Sequence, residues 1–167
     1  MKSLLFSLSL GLAVSLVAWG APSWAQNSIP PAKPNFTGTW KLNVAKSDFG
    51  PSPKLKSRVD KLEHREASLR MTSTRVTEDG DEDTINLNLT IGDQESTNTL
   101  HGAEMKTKVK WEGAVLLLDS TVKAEGGAVN LKDKWTLSAD GKTLMITRHY
   151  TGPEGEADLA YVLERQE

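Results

Sequence analysis

An acid and an arginine in the second half of this chain are spaced to meet. Asp140-Gly141 is a strong signal for a two-residue hairpin turn. Closing it sets Leu137 against Leu144, Trp135 against Ile146, Asp133 against Arg148 and Leu131 against Tyr150. Every apolar residue on that face then meets another apolar or aromatic one, and the only charges meet each other. Asp133 and Arg148, with the hydroxyls of Ser120 and Tyr150, would form a polar floor able to orient a bound molecule in an apolar setting. The same pair also reads as a structural ion pair, buried and self-satisfied. Because Asp133 already neutralises Arg148, a neutral or hydroxylated molecule suits this floor better than an anion. Trp40, Trp111 and Trp135 all fall on dry faces, where they would line a cavity or simply fill it.

Other chemistries find little support. Ser120 shares its face with no histidine, so a hydrolase triad is not expected. His64, His101 and His149 are scattered and show no metal-ligand spacing. The acids between Glu78 and Asp83 lack the glycine position and distal glutamate of a calcium loop and read as a solvated hairpin tip. The expectation is a non-enzymatic protein without metal or cofactor. A formal charge of -2 gives no electrostatic footprint for nucleic acid. With no cysteine, the domain is held by its core alone.

The elements that place these residues are β-strands. Phe36, Gly38, Trp40, Leu42 and Val44 alternate with polar residues, and so do Ile85, Leu87, Leu89 and Ile91. Val59 to His64 is the weakest strand, because charge falls on both of its faces. A three-residue loop ending in Gly80 sets Leu69, Met71 and Ser73 against Leu89, Leu87 and Ile85. Glu112-Gly113 turns Met105–Trp111 back into Ala114–Val122. A turn at Gly126-Gly127 sets Leu116, Leu118, Ser120 and Val122 against Leu137, Trp135, Asp133 and Leu131. The loop at Gly152–Gly155 sets Leu144, Ile146, Arg148 and Tyr150 against Leu163, Tyr161, Leu159 and Ala157. One rung of the dry face therefore reads Ser120, Asp133, Arg148, Leu159. About ten strands with one apolar face each must curl or close, which predicts an all-β, antiparallel up-and-down barrel of about 8–10 strands. A two-sheet β-sandwich is the alternative.

Two short motifs carry a resemblance. Phe36-Thr37-Gly38-Thr39-Trp40-Lys41-Leu42 resembles the opening strand of calycins, the lipocalins and intracellular fatty-acid-binding proteins. Thr147-Arg148-His149-Tyr150 resembles the Arg-x-Tyr that holds a lipid carboxylate in the latter, and so implies inward-pointing Arg148 and Tyr150. The chain is also similar to small exported bacterial lipocalin-like domains. They share the Gly-Thr-Trp-Lys-Leu start, the Lys46–Gly50 turn and the Ser138–Leu144 hairpin. Fatty-acid-binding proteins carry a helical lid after the first strand, whereas Ala45 to Lys56 is proline-broken and too short for two helices. They also end at the Arg-x-Tyr strand, whereas here one more strand follows.

Lys2, the apolar run Leu4–Ala18 and Ser23-Trp24-Ala25 predict a signal peptide over residues 1–25. A lead-in over 26–34 and a barrel domain over 35–167 follow. Removing 25 of 167 residues leaves 142, enough for one core, and removing Lys2 shifts the charge from -2 to -3. No later segment of this chain is apolar enough to span a membrane. The sequence thus predicts a periplasmic or secreted lipocalin-like module that binds a small apolar or amphipathic molecule. The alternative is a structural or interaction domain whose barrel is filled by its own side chains. Cavity volume separates the two, since ligand sites need about 300 Å³ or more.

Overall fold

The computed structural model describes residues 32–124 and 126–167. The expected signal peptide and most of the lead-in lie outside the described residues. Ten antiparallel strands follow one another: β1 (Gly38–Leu42), β2 (Leu55–Arg65), β3 (Ser68–Thr77), β4 (Glu82–Thr90), β5 (Glu95–Leu100), β6 (Ala103–Glu112), β7 (Val115–Ala124), β8 (Gly127–Leu137), β9 (Thr143–Gly152) and β10 (Gly155–Gln166). They form one sheet in the order β4-β3-β2-β1-β10-β9-β8-β7-β6-β5. The sheet curls until its edge strands β4 and β5 lie side by side, giving a nearly closed barrel and not a sandwich. There is no α-helix among the described residues.

Most of the expected registers hold. Asp133 stands opposite Arg148 and Trp135 opposite Ile146. Arg148 faces Leu159 across the next pair, and Leu69 faces Leu89. One register differs. The β7–β8 ladder runs as far as Ala124 opposite Gly127, so Gly127 belongs to the strand and not to the turn. The strands slide by two residues, which keeps every side chain on its face but changes its neighbour. Leu118, not Ser120, now stands opposite Asp133. The β6–β7 turn likewise sits one residue later, with Glu112 opposite Val115.

The barrel has a dry base and a polar upper half. Phe36, Trp40, Leu69, Leu116, Leu144 and Leu163 are fully buried at the base. There the Phe36 ring lies between Trp111, stacked at 5.9 Å, and Trp135, edge-on at 5.9 Å. Trp40 donates to the Phe36 carbonyl at 2.9 Å, and the Arg165 guanidinium caps its ring at 4.2 Å. Gly38 is required beneath that cap, because its φ is +145° and a Cβ there would sit 2.5 Å from Arg165 Nη1.

After β1 the chain leaves the sheet. Val44, expected on the dry face, is exposed in the 3-10 turn Val44–Lys46. The backbone then returns, with Asp48 and Ala160 exchanging two hydrogen bonds. This directs Phe49 into the barrel, edge-on against Tyr161 at 5.9 Å. The Lys46–Gly50 motif thus returns the chain to the side of β10 and adds Phe49 to the interior.

Candidate functional site

The upper interior is built by alternation on four strands. On β2, Arg58, Asp60, Leu62 and His64 point inward and are buried. On β3 the inward set is Leu69, Met71, Ser73 and Arg75. Strands β8 and β9 supply Asp133 and Arg148. Arg148 donates from Nε and Nη2 to the two oxygens of Asp133, at 2.7 and 2.6 Å. Arg58 does the same to Asp60, at 2.9 and 2.6 Å. Both are paired, bidentate ion pairs of the kind that tolerates burial. Between them stands the Tyr161 ring, 5.2 Å from the Arg58 guanidinium and 5.9 Å from that of Arg148.

A third arginine has no such partner. The β2–β3 register sets Arg75 directly opposite Arg58, an arrangement of like charges that costs stability. Its one side-chain hydrogen bond among the described residues is a long one, 3.4 Å from Nε to the Ser73 hydroxyl. Burial first, and then the charges of Arg58 and Arg148, push its pKa down to about 10, against the partial support of Asp60. Arg148 moves the other way. Burial would lower it, but the charge and hydrogen bonds of Asp133 raise it above its ordinary value. Among the described residues the interior holds three arginines and two aspartates, one positive charge in excess.

These charges surround a cavity of about 70 Å³, reached by Arg58, Arg75, Arg148, Asp133 and Ser120. Ser120 belongs to the same cavity but bonds to Thr107 at 2.9 Å and not to the ion pair. Tyr150 makes no hydrogen bond to the pair among the described residues. Its hydroxyl lies against Gly152 on its own strand, at the rim. Of the tryptophans, Trp135 lines the cavity, Trp40 is sealed in the base, and Trp111 borders a wider surface cleft of about 750 Å³ at the base. The residues that sequence reading did not single out are Arg58, Asp60, Arg75 and Tyr161.

At the base, Phe36 N–H donates to His64 Nδ1 at 3.4 Å. The imidazole is 9% exposed, and Nε2 has no partner among the described residues. Burial, the largest cause, lowers its pKa below 6.5.

No protein-family model and no curated protein matches the chain. Solved structures do match. A secretory abundant heat soluble protein 4 from Ramazzottius varieornatus superposes with a TM-score of 0.57 at 14% identity, over 82% of this chain and 98% of that one. Zebrafish ileal bile-acid-binding protein in complex with cholic acid gives 0.53 at 16%, over 78% and 98%. The fold is a calycin-type barrel. A second secretory heat soluble protein from R. varieornatus gives 0.52 at 13%, over 78% and 94%. At these identities the likeness concerns the fold alone. Within this calycin barrel the third interior arginine, Arg75, is a feature of the chain's own side chains. No helix among the described residues is long and apolar enough to cross a membrane.

Proposed function

We propose that the chain is an exported, non-enzymatic module that binds a small amphipathic monoanion, with its charged head among Arg75, Arg58 and the Ser73 hydroxyl. The observation that carries this reading is Arg75, an interior arginine without a carboxylate. Asp133 pre-empts Arg148, as the sequence suggests, but no carboxylate among the described residues pre-empts Arg75. An anion there would neutralise the excess charge and accept the hydrogen bonds that Ser73 barely takes. The cavity of about 70 Å³ suits a head group and not a long chain. A tail would displace Met71 and Met105, two adaptable side chains on the cavity wall. The bile-acid-binding relative lends the reading support by fold, and residues 1–25 support export.

Calorimetric titration of the mature chain with octanoate and with octanol tests it. Octanoate binding in wild type, lost in Arg75→Met and absent for octanol, is the expected result. The cavity volume favours a second reading, a barrel filled by its own side chains. Octanoate failing to bind, with nothing found by mass spectrometry of the natively purified protein, would select it.

A further inference from the structure

In a chain of formal charge -2, the outer face of β6, β7 and β8 gathers lysines. Lys108 and Lys110 on β6 and Lys132 and Lys134 on β8 are exposed, and none belongs to an ion pair among the described residues. The ladders set Lys108 and Lys132 on either side of Asp119, and Lys110 and Lys134 on either side of Leu117. Between the two rows runs a groove of about 510 Å³, floored by β7 and ended by Asp93. Its four lysines less its two aspartates leave two positive charges in excess. The opposite charge sits on the β3–β4 turn. Glu78, Asp79, Asp81 and Glu82 are exposed there, and they too have no ion-pair partner among the described residues. Thr77 N–H donates to the Asp81 carbonyl at 2.9 Å, and Gly80 N–H to that of Thr77 at 3.1 Å, so the turn has a fixed shape.

We propose that the lysine groove receives the acidic β3–β4 turn of a second copy of this chain. Four carboxylates then meet four ammonium groups. The lysine rows stand two strands apart, about 9–10 Å, and a hairpin whose arms are about 5 Å apart enters between them. It brings acids on both arms, Glu78 and Asp79 before the apex and Asp81 and Glu82 after it. Gly80 between them carries no side chain, so the apex approaches the floor at Leu117. The turn cannot reach its own groove, because β3 and β4 stay paired up to Val76 and Glu82. Being ordered before contact, it loses little entropy on docking. Groove and turn are different surfaces, so each added copy leaves one turn and one groove free, and assembly does not stop at two. Exposed ion pairs are individually weak and screened by salt, so assembly belongs to concentrated protein at low ionic strength.

Sedimentation velocity of the mature chain, without ligand, tests this. At about 0.01 M salt, where the Debye length is about 30 Å, wild type should grow past a dimer as protein concentration rises; at about 1 M, where it is about 3 Å, it should be a monomer. Two variants remove one partner each. The first carries Lys108→Gln, Lys110→Gln, Lys132→Gln and Lys134→Gln; the second carries Glu78→Gln, Asp79→Asn, Asp81→Asn and Glu82→Gln. Each alone should associate at least about tenfold more weakly than wild type, whereas their equimolar mixture should form a dimer and stop, since one turn and one groove remain. A third variant carries Lys41→Gln, Lys56→Gln, Lys61→Gln and Lys142→Gln, all exposed and outside the groove, and should associate as wild type does. Urea midpoints should match throughout, because every altered side chain is exposed. A wild type that stays monomeric at low salt overturns the proposal. So does equal weakening in the third variant, which would make net charge the cause, or a mixture that stays monomeric. Nothing in the interior takes part, so octanoate failing to bind leaves this result standing.

Discussion

Two interior arginines a few rungs apart should respond to the same substitution with opposite signs. Arg148→Met removes the partner of Asp133, whose side chain is 7% exposed. Stranding a buried carboxylate in this way costs about 3–5 kcal/mol. Arg75→Met strands nothing. A guanidinium whose pKa falls from its ordinary value to about 10 has its charged form disfavoured on folding by about 3 kcal/mol. The sign is set by the direction of the shift: the folded chain holds the proton less tightly, so the penalty is in full force at every pH below about 10 and is relieved only as pH rises above it. Methionine recovers part of that penalty and also relieves Arg58, which faces Arg75. Arg75 is only partly buried, so about 1–2 kcal/mol of net stabilisation is expected.

Urea unfolding at pH 7 reads both variants. Octanoate provides the second half of the assay, because a ligand at a hundred times its Kd stabilises the binding-competent protein by about 2.7 kcal/mol. Wild type should show that gain and Arg75→Met should not. A stable protein that has lost its ligand response is the signature of a charge kept for binding. If Arg75→Met unfolds at lower urea than wild type, Arg75 makes a stabilising interaction that the geometry does not contain, and the reasoning from excess charge fails.

Arg58→Met should be milder than Arg148→Met, about 1–2 kcal/mol, because Arg75 stands opposite and can turn to Asp60; in the Arg75→Met background the same change should cost about 3–5 kcal/mol, a coupling that a double-mutant cycle in urea would read directly. His64 is held neutral by burial, so the unfolded chain binds the extra proton, and stability should fall as pH drops below 6.5. His64→Asn, which keeps an acceptor for the Phe36 N–H, should flatten that part of the urea pH profile while leaving the decline at carboxylate pH values. Gly38→Ala should cost about 2 kcal/mol, by forcing a side chain into a left-handed backbone position and lifting Arg165 off Trp40; a urea midpoint no lower than wild type would count against that cap.

The fold was legible because alternation and turn chemistry agree along most of the chain. Asp140-Gly141 and the Gly80 loop admit one register each, and the structure has both. At Gly126-Gly127 either of two turns preserves the face, so parity could not choose between them, and the rung of Ser120 moved by two residues. Strand β2 was obscured by its charges. Lys61, Glu63 and Arg65 face solvent, while Arg58 and Asp60 alternate with them and face inward. Hydropathy counts both sets as polar. The missing signal was available in the Glu66-Ala67 turn, which carries the inward Leu69, Met71 and Ser73 across to His64, Leu62 and Asp60, and then Arg75 to Arg58. Tyr150 matched the Arg-x-Tyr pattern in sequence but lies over Gly152, while Tyr161 on the additional strand takes the place between the guanidiniums.

Strands β2 and β3 change what the charges mean. With Asp133 and Arg148 alone, the interior is neutral and needs nothing further, which is the argument for a neutral ligand or none. With Arg58, Asp60 and Arg75 included, the count is odd. Self-contained cores avoid an unpaired interior charge, because an apolar side chain of similar size is more stable at the same position. A scaffold with a filled barrel would gain from a methionine at position 75. A barrel that takes up an anion cannot use one, because the charge that weakens the empty state is the charge that the ligand neutralises. The cavity then sets the size of the guest, about 70 Å³ beside Arg75. The two readings then part at one variant: in an anion-binding barrel Arg75→Met gains stability and loses its octanoate response, whereas in a filled barrel it gains stability and wild type has no octanoate response to lose.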